Sequence, residues 1–230
     1  MIRLEKYQSF GNDFLIGASA QMPSDLAALA IEVCDRRTGI GVDGLIAVDE
    51  SDRDMLRMYL YNADGSRAEL SGNGLGCVGY RYGKSVVVLT DVGPRDVEVD
   101  GNIVEVDMGM PSLGDAPEPY TGWGKAVAVD VGNPHVVVIG NPNDERWSQR
   151  LVDSAVNVEV VDPESGYTRV WERGVGETQS CGSGACAVAV ALDRAEFNVQ
   201  MPGGLLRVTR RDGRTWLATE PSFVAAVEFA

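Results

Sequence analysis

Two stretches of the chain repeat one short pattern, and that pattern strongly limits what can form around it. The first runs Glu69-Leu70-Ser71-Gly72-Asn73-Gly74 into Leu75-Gly76-Cys77-Val78-Gly79. The second runs Thr178-Gln179-Ser180-Cys181-Gly182-Ser183-Gly184 into Ala185-Cys186-Ala187-Val188-Ala189-Val190-Ala191. Each sets a nucleophile-type side chain, Ser71 or Cys181, directly before Gly-(Asn or Ser)-Gly and a run of small apolar residues. The pattern predicts a buried helix whose first turn is bare backbone. Such a start presents its N–H groups to an anion, and the helix dipole favours negative charge there. The same field lowers the pKa of a thiol at that spot, so Cys181 is expected to be a reactive thiolate. Two such loops facing each other would hold a carboxylate with a proton-transfer group on either side.

The rest of the chain is mostly strand. Ser85-Val86-Val87-Val88-Leu89, Ala126-Val127-Ala128-Val129 and Val136-Val137-Val138-Ile139 are rich in valine and bounded by Gly, Pro, Asn and Asp turns. Ser24 to Arg36 reads as a helix with a capping serine and apolar Leu26, Leu29, Ala30 and Val33 at helical spacing. A weaker helix is expected near Asp144 to Val152. Both halves of the chain run strands, a Gly-rich turn into a small-residue helix, then more strands, as an internally duplicated two-domain protein would. Two glycine turns alone would not exclude chance similarity. Met108-Gly109-Met110-Pro111 is the best boundary.

Composition removes several classes. A net charge of −14 argues against nucleic acid or an anionic membrane as main partner. No apolar run is long enough to span a bilayer, and Met1-Ile2-Arg3-Leu4-Glu5-Lys6 reads as a strand rather than a signal peptide, so a cytoplasmic location is expected. The four cysteines, Cys34, Cys77, Cys181 and Cys186, stand among small and apolar neighbours, as free thiols do. With His135 the sole histidine and no zinc-knuckle spacing, no metal site is expected. Gly39-Ile40-Gly41-Val42-Asp43-Gly44 matches a dinucleotide fingerprint, but it follows a helix and leads into a strand, so it reads as a tight turn.

Seven stretches in order now carry a resemblance. They are Gly11-Asn12-Asp13-Phe14, Asn62-Ala63-Asp64-Gly65-Ser66, Gly72-Asn73-Gly74, Gly132-Asn133-Pro134-His135, Asn157-Val158, Trp171-Glu172-Arg173-Gly174, and Gly176-Glu177-Thr178 leading into Cys181-Gly182-Ser183-Gly184-Ala185. In these the chain resembles the diaminopimelate epimerases, cofactor-independent amino-acid racemases and epimerases. The resemblance implies an α+β fold of two pseudo-symmetric domains, each a curled antiparallel sheet around a central helix. One domain would hold residues 1–110 and 222–230, the other 111–221, with the active site in the cleft between them. It implies inversion of one α-carbon of LL-diaminopimelate to the meso form by two-sided proton transfer, without metal or organic cofactor. The partner would be a small amino-acid substrate, and family members can be homodimers. A racemase or isomerase of another small acid, or a non-catalytic amino-acid binder, are the alternatives on the same scaffold.

Site residues follow in the same terms. Cys181 would be one acid/base and Ser71 the place of the other. The plain reading of His135 is a structural histidine after a turn; the resemblance puts it with Glu172, tuning the Cys181 thiol. Backbone N–H groups of Gly72, Asn73, Gly182 and Ser183 would hold the reacting carboxylate. Arg173 suits a bidentate grip on the distal carboxylate and Glu172 an ammonium group. Asn12, Asn62 and Asn157 would complete recognition, with Asn133 nearby. Cys77 and Cys186, inside helical runs, are assigned to packing.

Three departures stand out. The family has cysteine where this chain has Ser71, an arginine where it has Gly76, and, in some members, a glutamine near the turn that here ends in Gly44. The chain is also shorter than typical members. A thiol with a pKa near ~8.5 can alternate between acid and base near neutral pH, whereas a hydroxyl needs an adjacent base. Three readings of Ser71 stay open: a substitution made to trap substrate, a natural change of mechanism, or a member that binds without turnover.

Overall fold

The computed structural model describes residues 1–52, 54–151, 154–173 and 175–229. Val152, Gly174 and Ala230, which the expected third helix, the Trp171–Gly174 motif and the first-domain range include, lie outside the described residues. The chain forms two compact units, Met1–Val106 with Thr219–Ala230, and Asp107–Ala218.

In the first unit, β1 (Ile2–Ser9) pairs antiparallel with β2 (Asn12–Ala18). Helix α1 (Leu26–Cys34) then leads to β3 (Gly44–Asp49), parallel to β2. Strand β4 (Met55–Asn62) returns antiparallel and carries the short β5 (Arg67–Ala68). Helix α2 (Gly72–Tyr82) leads to β6 (Val86–Thr90), parallel to β4, and a meander continues through β7 (Gly93–Asp100) and β8 (Ile103–Gly109).

The second unit repeats this order. Strands β9 (Ser112–Asp115), β10 (Lys125–Asp130) and β11 (Pro134–Ile139) are antiparallel neighbours. The short α3 (Arg146–Arg150) leads to β12 (Asn157–Val161), parallel to β11. Strand β13 (Thr168–Glu172) returns antiparallel and carries β14 (Gly176–Thr178). Helix α4 (Gly182–Ala191) leads to β15 (Glu196–Met201), and Tyr167 and Gln200 form a parallel bridge beside β13. A meander of β16 (Gly204–Arg211) and β17 (Arg214–Thr219) follows. The last strand, β18 (Ser222–Phe229), pairs with β1 as β9 pairs with β10. The sheets are therefore mixed rather than purely antiparallel. Wherever a helix joins two neighbouring strands, the chain has crossed over and the pair is parallel.

The helices form for different reasons. In α1 the cap is Asp25, not Ser24: its carboxylate accepts the Ala28 N–H at 3.0 Å. Leu29, Ala30, Val33 and Cys34 then pack on Leu4, Leu15 and Leu45. Helix α2 holds four glycines and would not persist alone. Its glycines are demanded by close approach: a Cβ at Gly79 would stand 2.4 Å from Val97 Cγ1. One at Gly76 would stand 2.2 Å from Thr219 Oγ1, which donates to the Val104 carbonyl. Thr219 thus occupies the ground where a side chain at position 76 would begin. Helix α4 is buried along nearly its whole length and packs on β10, β11, β12, β15 and β16. On the other face of its sheet, Val136, Val138, Val158 and Val160 meet Trp147 and Trp171. Strand alternation then turns His135, Val137 and Glu159 toward α4.

Candidate active site

Cys181 is the N-cap of α4, in extended backbone, and its sulfur accepts the Gly184 N–H at 3.4 Å. The Ser183 hydroxyl stands 3.4 Å from the same sulfur. Around them lies a buried polar cluster. Asn133 Nδ2 donates to Ser183 Oγ at 3.3 Å, and Asn133 Oδ1 lies 3.1 Å from His135 Nε2. His135 Nδ1 lies 2.7 Å from Glu159 Oε1, with both side chains fully buried. Glu172, also close to the thiol, accepts a 2.5 Å hydrogen bond from Thr178 Oγ1. These residues share one unit, so the second Gly-rich turn, the Gly-Asn-Pro-His stretch and Glu172 converge as one chemical group.

The expected low thiol pKa does not occur. Burial pushes the Cys181 thiol well above its ordinary value, and the charges of Glu172 and Glu159 push the same way. The bonds from Ser183 and the Gly184 N–H oppose this only in part. Desolvation likewise raises the Glu172 carboxyl, against the Thr178 bond. At rest Cys181 is therefore a thiol with an available acceptor beside it, not a standing thiolate. The helix field is real, but removing a charge from water outweighs it here. Cys77 and Cys186 are also raised by burial, and Cys34 is pushed up to about 12 by burial and by Asp13 and Asp43.

In the first unit, Ser71 is the N-cap of α2, and its Oγ accepts the Gly74 N–H at 3.1 Å. Asn73 Nδ2 donates to Asn12 Oδ1 at 3.4 Å, and Asn12 Nδ2 donates to Asp43 at 2.7 Å. Asp43 and Asp13 are tied to Arg36, and Asp13 also to Lys6. The Gly39–Gly44 stretch thus runs from α1 into β3 as a turn, with φ +81° at Gly41. Strand register pairs the two units position by position. Phe14 opposes Gly44 as His135 opposes Asn157, so Phe14 corresponds to His135 and Ile46 to Glu159. Asn62 opposes Gly44, which makes it the counterpart of Glu172. Contact at the helix starts agrees: a Cβ on Gly74 would meet Ile46 Cδ1, and one on Gly184 would meet Glu159 Oε1.

The distal residues divide. Arg173 is exposed, and no hydrogen bond or ion pair ties its side chain to another described residue. Asn157 spends both ends of its amide on backbone, donating to the Pro134 carbonyl and accepting the Arg173 N–H. It therefore shapes the turn that carries Arg173. Asn62 donates to Ser66 Oγ within its own turn. Sequence reasoning missed Glu159 and the part played by Thr178. The signal for Glu159 was a carboxylate in the middle of Val158-Glu159-Val160-Val161, at the strand parity of Asn157.

Solved structures with this fold are racemases and epimerases among others. A predicted epimerase from Pseudomonas aeruginosa aligns over 100% of this chain and 99% of its own, with a TM-score of 0.76 at 16% identity. A hydroxyproline epimerase from Agrobacterium vitis, solved with trans-4-hydroxy-L-proline, aligns over 98% and 91%, with a TM-score of 0.69 at 14% identity. At such identities the likeness is one of fold. Sequence goes further: residues 5–114 and 127–223 match the family model described as diaminopimelate epimerase. The diaminopimelate epimerase of Desulforudis audaxviator is 36% identical, over 88% of this chain and 89% of its own length. That of Rhizorhabdus wittichii is 36% identical, over 96% and 92%. The chain belongs to the diaminopimelate epimerase family, and it is an enzyme of the isomerase class.

Proposed function

We propose that this protein moves the α-proton of a diaminopimelate-type amino acid, with Cys181 as its working acid/base and Ser71 at the place of the second. The observation that carries this reading is the Cys181 sulfur at the bare start of α4, beside Glu172 and reached from His135 through Asn133 and Ser183. The thiol proton passes to the Glu172 carboxylate, whose proton affinity is raised. The sulfur then takes the α-proton, and the electron pair of the broken C–H bond moves onto the reacting carboxylate. The N–H groups of Gly182 and Ser183, at the same helix start as Cys181, are suited to receive that charge. The exposed Arg173 guanidinium suits the distal carboxylate.

Ser71 sets the limit of the reaction. Its hydroxyl accepts the Gly74 N–H, and the strand positions that hold His135, Glu159 and Glu172 in the second unit hold Phe14, Ile46 and Asn62 in its own, none of which can take its proton. One-sided exchange is therefore faster than inversion. The test is incubation with LL- and meso-diaminopimelate in deuterium oxide, following optical rotation and α-deuterium by NMR. Exchange with slow inversion supports the reading. Inversion at a normal enzymatic rate refutes the limiting role of Ser71, and binding without exchange refutes the enzymatic reading in favour of an amino-acid binder. Exchange of another small acid alone refutes the substrate.

A further inference from the structure

The reaction just described leaves Glu159 without a task. It lies in the middle of β12, fully buried, where the matching residue of the first unit is Ile46. A buried carboxylate in place of an aliphatic side chain is costly unless something pairs with it. Its Oε1 meets His135 Nδ1 at 2.7 Å, while Oε2 has no hydrogen-bond partner among the described residues. A Cβ on Gly184 would stand 2.4 Å from Oε1, so the carboxylate lies directly against the first turn of α4. From it a chain of contacts runs through His135, Asn133 and Ser183 to the Cys181 sulfur.

The donors and acceptors in this chain have a direction. A carboxylate accepts, so His135 donates from Nδ1. Asn133 donates its Nδ2 to Ser183, which leaves its Oδ1 facing His135 Nε2, so that nitrogen must donate as well. Ser183 Oγ accepts from Asn133 and so has its own hydrogen to offer the sulfur, 3.4 Å away, once that sulfur is ionised. We propose that Glu159 is a positioning residue: its charge keeps the second proton on His135, and through Asn133 that proton aims the Ser183 hydroxyl at Cys181. Without the charge, His135 keeps one proton and turns a lone pair toward Asn133. The amide flips, Ser183 donates to Asn133 Oδ1 instead, and the sulfur loses a donor that stabilises its ionised form. This rests on Cys181 as the proton-transfer group.

The chain has a single histidine, so its ring can be observed without assignment ambiguity. With 15N-labelled histidine, the parent should show both ring nitrogens protonated at neutral pH, and Glu159→Gln only one. Glu159→Asp, which keeps the charge, should recover the second proton at least in part. Glu159→Gln removes the carboxylate charge that opposes ionisation of Cys181 and, with it, the imidazolium charge. The two changes offset each other at the sulfur, and the lost Ser183 bond decides. Alkylation of Cys181 by iodoacetamide, read by peptide mapping, should therefore slow about tenfold. Ser183→Ala cuts the last link without touching the carboxylate. It should give the same slowing, and the double variant should be no slower than either alone. Equal ring protonation in parent and Glu159→Gln, unchanged Cys181 alkylation, or additive losses would each overturn the proposal. Failure of the parent to exchange any diaminopimelate isomer would sink the substrate reading, while the ring and alkylation results would still judge Glu159.

Discussion

The two helix starts are one backbone device in two chemical settings. Ser71 caps α2 and Cys181 caps α4, each through the N–H of the glycine three residues on. Around Cys181 the facing strands supply His135, Glu159 and Glu172; around Ser71 the same positions hold Phe14, Ile46 and Asn62. One unit can store and pass a proton, and the other offers apolar walls and an amide. The repeat gives the chain two helix starts of one backbone form. On the proposed reading, their titratable neighbours, which differ between the units, decide which of them does acid–base work.

The largest effects should come from exchanging the two caps. Ser71→Cys should raise inversion of diaminopimelate by about 10²–10⁴-fold, the range for a positioned acid–base group, measured by optical rotation. Cys181→Ser should lower α-deuterium exchange by a similar factor. If Ser71→Cys gains nothing, the surroundings of the first start, not its cap, limit the reaction.

A smaller effect separates the two glycines. Gly184→Ala drives a Cβ to 2.4 Å from Glu159 Oε1, whereas Gly74→Ala brings one to 3.1 Å from Ile46 Cδ1. Denaturant unfolding should show about 1–3 kcal/mol lost for Gly184→Ala, and less for Gly74→Ala. Equal losses would mean that the carboxylate yields as easily as the isoleucine. Next, Arg173→Lys should weaken substrate binding roughly tenfold by calorimetry, since an ammonium cannot reproduce a planar two-point grip. Affinity unchanged would place Arg173 outside recognition.

The smallest effect is a pH offset. Cys181 is raised by burial and by Glu172 and Glu159, so its ionised form gains population only as pH climbs past the ordinary thiol range. At position 71 the matching strand positions hold Ile46 and Asn62 in place of those carboxylates. In Ser71→Cys, iodoacetamide should therefore label position 71 at lower pH than Cys181. Labelling of both along one pH curve would show that burial, not the carboxylates, sets the Cys181 thiol.

Much of this was written in the order of residues. The Gly-x-Gly repeats fixed two helix starts, because only bare backbone can begin a helix that tightly buried, and period-two valines fixed the strands of each unit. The family stretches brought Cys181, His135 and Glu172 together before any coordinates did. Local pattern could not reveal Glu159, since a lone carboxylate among valines reads the same whether it faces water or a helix. Nor could it reveal the cap of α1, where Ser24 and Asp25 are equal candidates until the backbone places one of them.

What the sequence determined by itself was the two-unit plan, the capping residues of α2 and α4, and the family, because these depend on residue types at fixed short spacings. What only the tertiary structure decided was the electrostatic state of those caps. The spacing predicted a lowered thiol, and the fold raised it by closing strands and helix around Cys181 and setting two carboxylates beside it. A pKa depends on every charge and every excluded water within a few ångströms, and those neighbours come from distant parts of the chain.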